Sequence, residues 1–257
     1  MQQDGLITTE HHGRAARLMA WSLAGLMVAA TIPLLFVLFG DNAVHRTHET
    51  TFVLFAILLV AGGLVAVATR PAAAAGALRV VLAAGIANLI VAALTPRFDP
   101  IGLILVVFAV VLDRLGRFGM WRETWHIRRW EAALPVLLVA GFGSYARDQI
   151  RLQATGPATD EHIQFGHYAL MATVVLGIAL AGLVGSSEAD GNHIAGTLAG
   201  TTAVLVGLGS LLTAQVSAFG LAGELALILG GLVFVGMVQL ERMGLHPQSP
   251  GPSSPPR

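Results

Sequence analysis

Residues 18–40 read LMAWSLAGLMVAATIPLLFVLFG, 23 residues without a charge, and Arg14 and Arg17 precede them. A helix rises ~1.5 Å per residue, so roughly 20 apolar residues cross the ~30 Å hydrocarbon core of a bilayer. With no water in that core, the backbone must bond to itself, and helix is the solution open to a single segment. A cleaved leader has a shorter apolar run, about 7–15 residues, closed by small residues of the A-x-A kind. This run is longer and has no such exit, so it is expected to stay in the chain as an anchor.

The same pattern repeats outward from it. Further apolar runs cover 52–69, 80–95, 101–112, 132–146, 164–185, 195–214 and 218–240, each bounded by charges, Pro or Gly. The fourth is short because Asp113 and Arg114 follow it, and these can snorkel to the interface. Composition agrees. The chain is 55% hydrophobic and 12% charged, with mean hydropathy +0.72, where a soluble domain carries about 25% charged residues. Too little polar surface remains to wet a globule of this size. The expected fold is an all-α integral membrane protein with eight transmembrane helices.

Orientation follows from arginine. With the N-terminus inside, inner segments hold eleven Arg (14, 17, 70, 79, 114, 117, 122, 128, 129, 242 and 257). Outer loops hold four (46, 97, 147 and 151). That asymmetry favours both termini on the cytoplasmic side, and the expected location is a bacterial-type inner (plasma) membrane. Residues 114–131 interleave Arg with Trp121, Trp125 and Trp130, which reads as a cytoplasmic loop with its aromatic belt. The tail after His246, PQSPGPSSPPR, cannot bury a core.

Two halves resemble each other. Leu94-Thr95 and Gly102-Leu103 recur as Leu212-Thr213 and Gly220-Leu221, at an offset of 118. Gly63-Leu64-Val65 recurs as Gly182-Leu183-Val184 at 119, and Leu23, Leu26, Val28 and Ala29 match Leu134, Leu137, Val139 and Ala140 at 111. The order is kept and the offsets differ only by loop length, as in a tandem duplication. The expected organisation is a cytoplasmic N-terminus (1–17), a first four-helix unit (18–113), the basic aromatic loop (114–131), a second unit (132–240) and a cytoplasmic tail (241–257). Four spans per unit make the repeat parallel, with its pseudo-twofold axis along the membrane normal and sites favoured between units.

Fifteen basic residues balance fifteen acidic ones, so no global field steers nucleic acid to the chain. Every basic residue is Arg, which excludes a lysine Schiff base, and Cys is absent, which excludes disulfides and thiolate metal sites. There is no Walker A, Rossmann, G-x-S-x-G, HExxH or CxxCH pattern.

Chemistry is expected where costly groups collect at the outer mouth. His45, His48 and Glu49 open span two on one helical face, and Asp160, Glu161, His162 and His167 open span six. Neutral imidazole is a common ligand for Zn, Cu and Fe, so His167, His162, His48 and His45 with Glu49 are the candidate metal or haem ligands. His162 and His167 are five apart, ~140° around a regular helix, so one unbroken helix could not aim both at one ion. Asp160 suits a helix N-cap.

A second candidate is Glu224, ~10 Å below the outer boundary of span eight, with a Ser or Thr on span seven, such as Thr213, as its expected structural partner. Asn88 and Gln239 are expected to bond between helices. The main functional expectation is a metal- or haem-binding membrane protein. A small-solute or cation transporter with its site near Glu224, and an accessory subunit of a membrane complex, are the alternatives. No enzymatic activity is assigned. The expected partners are lipid and another membrane protein or a second copy.

Overall fold

The computed structural model describes residues 2–38, 43–96, 99–122, 127, 129–189, 191–213 and 219–243. These fold as helices α1 (Gln2–Leu38), α2 (Ala43–Leu54), α3 (Gly62–Thr69), α4 (Ala74–Leu94), α5 (Ile101–Gly116), α6 (Arg129–Thr155), α7 (Glu161–Phe165), α8 (His167–Gly185), α9 (Asn192–Thr213) and α10 (Gly220–Arg242). A π-helical segment, Phe55–Ala61, joins α2 to α3, and a single 3₁₀ turn, Pro71–Ala73, leads into α4. Among the described residues no β-ladder forms, only an isolated bridge between Ile127 and Ser187.

Six stretches are long and apolar enough to cross a membrane: Gly13–Leu34, Arg46–Thr69, Pro71–Leu94, His167–Gly185, Asn192–Thr213 and Gly220–Arg242. The chain is therefore a helical membrane protein with a bilayer as its surroundings. The fourth and fifth expected spans fall on α5 and α6. The first is only 16 residues long, and the second carries Arg147, Asp148 and Arg151 in its C-terminal half.

Burial sorts the helices. Within an apolar window of 18 residues, 61% and 67% are buried in the second and third stretches, against 22% in Gly13–Leu34 and 28% in Gly220–Arg242. The former build the centre and the latter face outward, with Leu26, Phe36, Leu229 and Leu232 exposed. In water such a face would be a large apolar liability. Against acyl chains it is the required surface.

Contacts follow a regular scheme. Helix α1 packs on α2, the π segment, α3 and α5, while α6 packs on α8 and α10. Helix α4 pairs with α5, and α9 with α10. Across the bundle, α4 lies on α8, and α2 with the π segment lies on α9. Glycine makes the tightest pairings possible. A Cβ at Gly231 of α10 would sit 2.6 Å from the carbonyl of Gly200 on α9, closer than side chains tolerate.

The end of the bundle where α4 starts and α5 ends departs from expectation at two charges. Arg79 is not at the start of its helix, because the 3₁₀ turn begins the stretch earlier, at Pro71. Its guanidinium is fully buried, donating to the Met120 carbonyl (3.0 and 3.1 Å) and to Asn192 Oδ1 (2.9 Å). Asp113 does not snorkel. It is buried and accepts the Met120 N–H at 2.9 Å. Both charges thus pin the chain after α5 to the bundle, and a buried charge requires such partners. Asn88 and Gln239 do bond between elements: Asn88 donates to Asp99 and accepts from the Gly102 N–H, and Gln239 donates to Thr197.

Candidate metal centre

The end of the bundle where α6 gives way to α8 is organised by a helix that stops and restarts. Helix α6 does not end at Ala146, as its charges led one to expect, but continues to Thr155, and Gly156-Pro157 then turns the chain. Asp160 caps α7, accepting the His162 N–H at 2.9 Å. One turn later Gly166 takes a left-handed conformation (φ 76°, ψ 22°), ending α7 and opening α8 at His167. That conformation costs an L-residue roughly 1–2 kcal/mol and glycine little.

The break changes what His162 and His167 can do. On one helix they would diverge; on two helices meeting at Gly166 their ring centroids lie 5.6 Å apart. His48, from α2, completes the group, 5.3 Å from His162 and 5.5 Å from His167 between ring centroids. One nitrogen from each ring can be chosen so that all three lie within 4.8 Å of one another. A tetrahedral zinc holds its nitrogens ~3.3 Å apart (Zn–N ~2.0–2.1 Å), so closure on an ion needs an inward rotation of the rings.

Two of the rings are backed by carboxyl groups. His167, 4% exposed, places Nε2 3.2 Å from Glu49 Oε1, and His162 places Nδ1 3.0 Å from Asp160 Oδ1. Metal-ligating histidines commonly make such a bond with the nitrogen that does not bind the ion, which fixes the tautomer and the ring plane. The other ring nitrogens, His167 Nδ1 and His162 Nε2, are both buried. Phe165 stacks on His167 and Tyr168 on His162, and the Tyr168 hydroxyl donates to Asp160. Hydrogen bonding holds the Asp160 carboxyl below the usual carboxylate range, chiefly through the His162 backbone N–H and against a smaller opposing effect of desolvation.

Of the residues expected here, His48, His162, His167 and Glu49 come together. His45 stands on α2, and its side chain lies outside the described residues. Glu224 belongs elsewhere: it is buried on α10 and accepts a 2.7 Å hydrogen bond from Ser210, a hydroxyl of span seven as expected, though the residue is Ser210 and not the Thr213 given as the example. Thr213 instead donates to the Gly209 carbonyl at 2.6 Å, with the Thr47 hydroxyl 3.4 Å from its oxygen.

Sequence reasoning missed Gln153. It is buried on α6, donates to the Ile163 carbonyl (3.0 Å) and accepts the Ala169 N–H (3.3 Å), clamping the chain on both sides of Gly166. The signal was present. Nothing between Arg147 and Thr155 breaks a helix, so α6 could have been extended to Gly156. Comparison with known proteins finds no similar family model, curated protein or solved structure.

Proposed function

We propose that this chain is an eight-span membrane protein, with both termini on the cytoplasmic side, whose outer end binds a transition-metal ion through His48, His162 and His167. The observation carrying this reading is the convergence of three imidazoles from two parts of the chain, two of them oriented by carboxyl groups. Nitrogen donors of this kind suit Zn(II), Cu(II), Co(II) or Ni(II). Haem fits less well. Three rings packed on one another at 5.3–5.6 Å leave no slot between them for a macrocycle.

The even count supports the outer location. If α5 and α6 both cross, the spans number eight; if neither does, six remain, and α8 still starts on the side where α4 ends. The helix pairings also suit two four-helix units of one orientation. Within them α1 with α2–α3 parallels α6 with α8, and α4 with α5 parallels α9 with α10. His48 then comes from the first unit and His162 and His167 from the second, so the ion sits where sites between repeats are favoured.

Detergent-purified protein, stripped with chelator and reloaded, takes up one zinc per chain on this reading. His48→Ala, His162→Ala and His167→Ala each weaken binding by about ten-fold or more. His193→Ala, on α9 and outside the cluster, leaves it unchanged. Undiminished zinc in all three cluster variants overturns the proposal.

A further inference from the structure

A cleft of about 400 Å³ lies among α3, α9 and α10, at the opposite end of the span Arg46–Thr69 from His48. Its wall changes character along the helices. Arg70 follows the last residue of α3, His193 stands in the first turn of α9, and Arg242 is the last residue of α10. These three form one end of the lining. Thr197 and Gln239, hydrogen-bonded to each other at 2.9 Å, lie about one turn further in. Gly62, Val65 and Ala66 of α3 with Leu198 of α9 make the deeper, apolar part. From Arg70 to Gly62 is about 12 Å of helix.

Among the described residues, neither Arg70 nor Arg242 has an ion-pair partner. No carboxyl group of the described residues lines the cleft, although Glu188 and Glu241 line a neighbouring hollow that shares His193 and Arg242. A guanidinium offers forked N–H donors that match phosphate oxygens. Helix ends just past an apolar span lie level with lipid headgroups, where basic pockets between helices hold anionic ones. We propose that the cleft binds an anionic phospholipid, with its phosphate between Arg70 and Arg242 and the upper part of an acyl chain along α3 and α9. The two-part wall decides the occupant. Free phosphate would use the arginines and leave the apolar wall uncovered, and an uncharged apolar molecule would do the reverse. A lipid meets both. This inference is independent of the metal reading.

Native mass spectrometry of the detergent-purified full chain tests it, with dioleoyl-phosphatidylglycerol and dioleoyl-phosphatidylcholine as probes. The two share their acyl chains and differ in net charge. Phosphatidylglycerol should bind with a Kd about ten-fold or more below that of phosphatidylcholine. Arg70→Ala combined with Arg242→Ala should remove that preference. Arg70→Gln alone, at an exposed position, is the second variant should the first fail to fold, and it should reduce the preference. Arg147→Ala combined with Arg151→Ala removes the same charge from exposed sites on α6 and should leave the preference intact. Equal binding of the two lipids, or equal loss in the α6 variant, overturns the proposal. Displacement of the bound lipid by an equal concentration of inorganic phosphate would make the cleft a phosphate site and overturn its assignment to lipid.

Discussion

At the scale of single residues, the centre depends on groups that touch no ion. Asp160 joins the cap of α7, the His162 ring and the Tyr168 hydroxyl through one carboxyl. Its pKa lies below the ordinary carboxylate range. A group depressed on folding stabilises the folded state fully above its unfolded pKa, and that contribution is lost as pH falls through the folded value. Asp160→Asn keeps an N-cap acceptor but loses the charge. It should therefore lower thermal stability at neutral pH and flatten the acid limb of a plot of thermal stability against pH, the two proteins converging at low pH. An unaltered acid limb would mean the carboxylate is not held as described. The residue types at this centre were legible in sequence, since His48, Glu49, His162 and His167 are costly groups beside apolar runs. Gln153 was not. An amide two residues beyond Arg151 looks like loop until the helix beneath it is known to continue.

Among the elements, the junction of α7 and α8 decides the chemistry. Five residues of separation argue against shared ligation on a regular helix, and a single left-handed glycine removes the objection. Sequence offered Gly166 but not its conformation, because most glycines in such a chain serve packing. The π segment was equally hidden. FAILLVA reads as ordinary helix, and the pairing of the Gly62 N–H with the Ile57 carbonyl, five residues back, is one mark of the wider turn. Gly166→Ala tests the junction. The strain is roughly 1–2 kcal/mol, and its relief by straightening α7 into α8 would swing His162 away from His167. Zinc affinity should fall about ten-fold or more while the protein remains folded in detergent. Unchanged affinity would show that the break is incidental to the site.

For the whole molecule, lipid as solvent explains both the fold and its economy of polar groups. Apolar runs located the helices because every crossing segment must carry one. They did not give the packing order, which depends on which faces hold small residues and which hold Leu and Phe. The absence of Cys makes topology measurable. Thr159→Cys should react with a membrane-impermeant maleimide from outside. Glu188→Cys and Arg122→Cys should react only after permeabilisation. Outside labelling at Arg122→Cys alone of the last two would reduce the spans to six. X-ray absorption at the zinc edge of the loaded protein tests the central claim most directly. The account predicts about three imidazole nitrogens at ~2.0 Å, with imidazole scattering diminished in His167→Ala. A shell of oxygen alone, or zinc whose spectrum ignores that substitution, would contradict it.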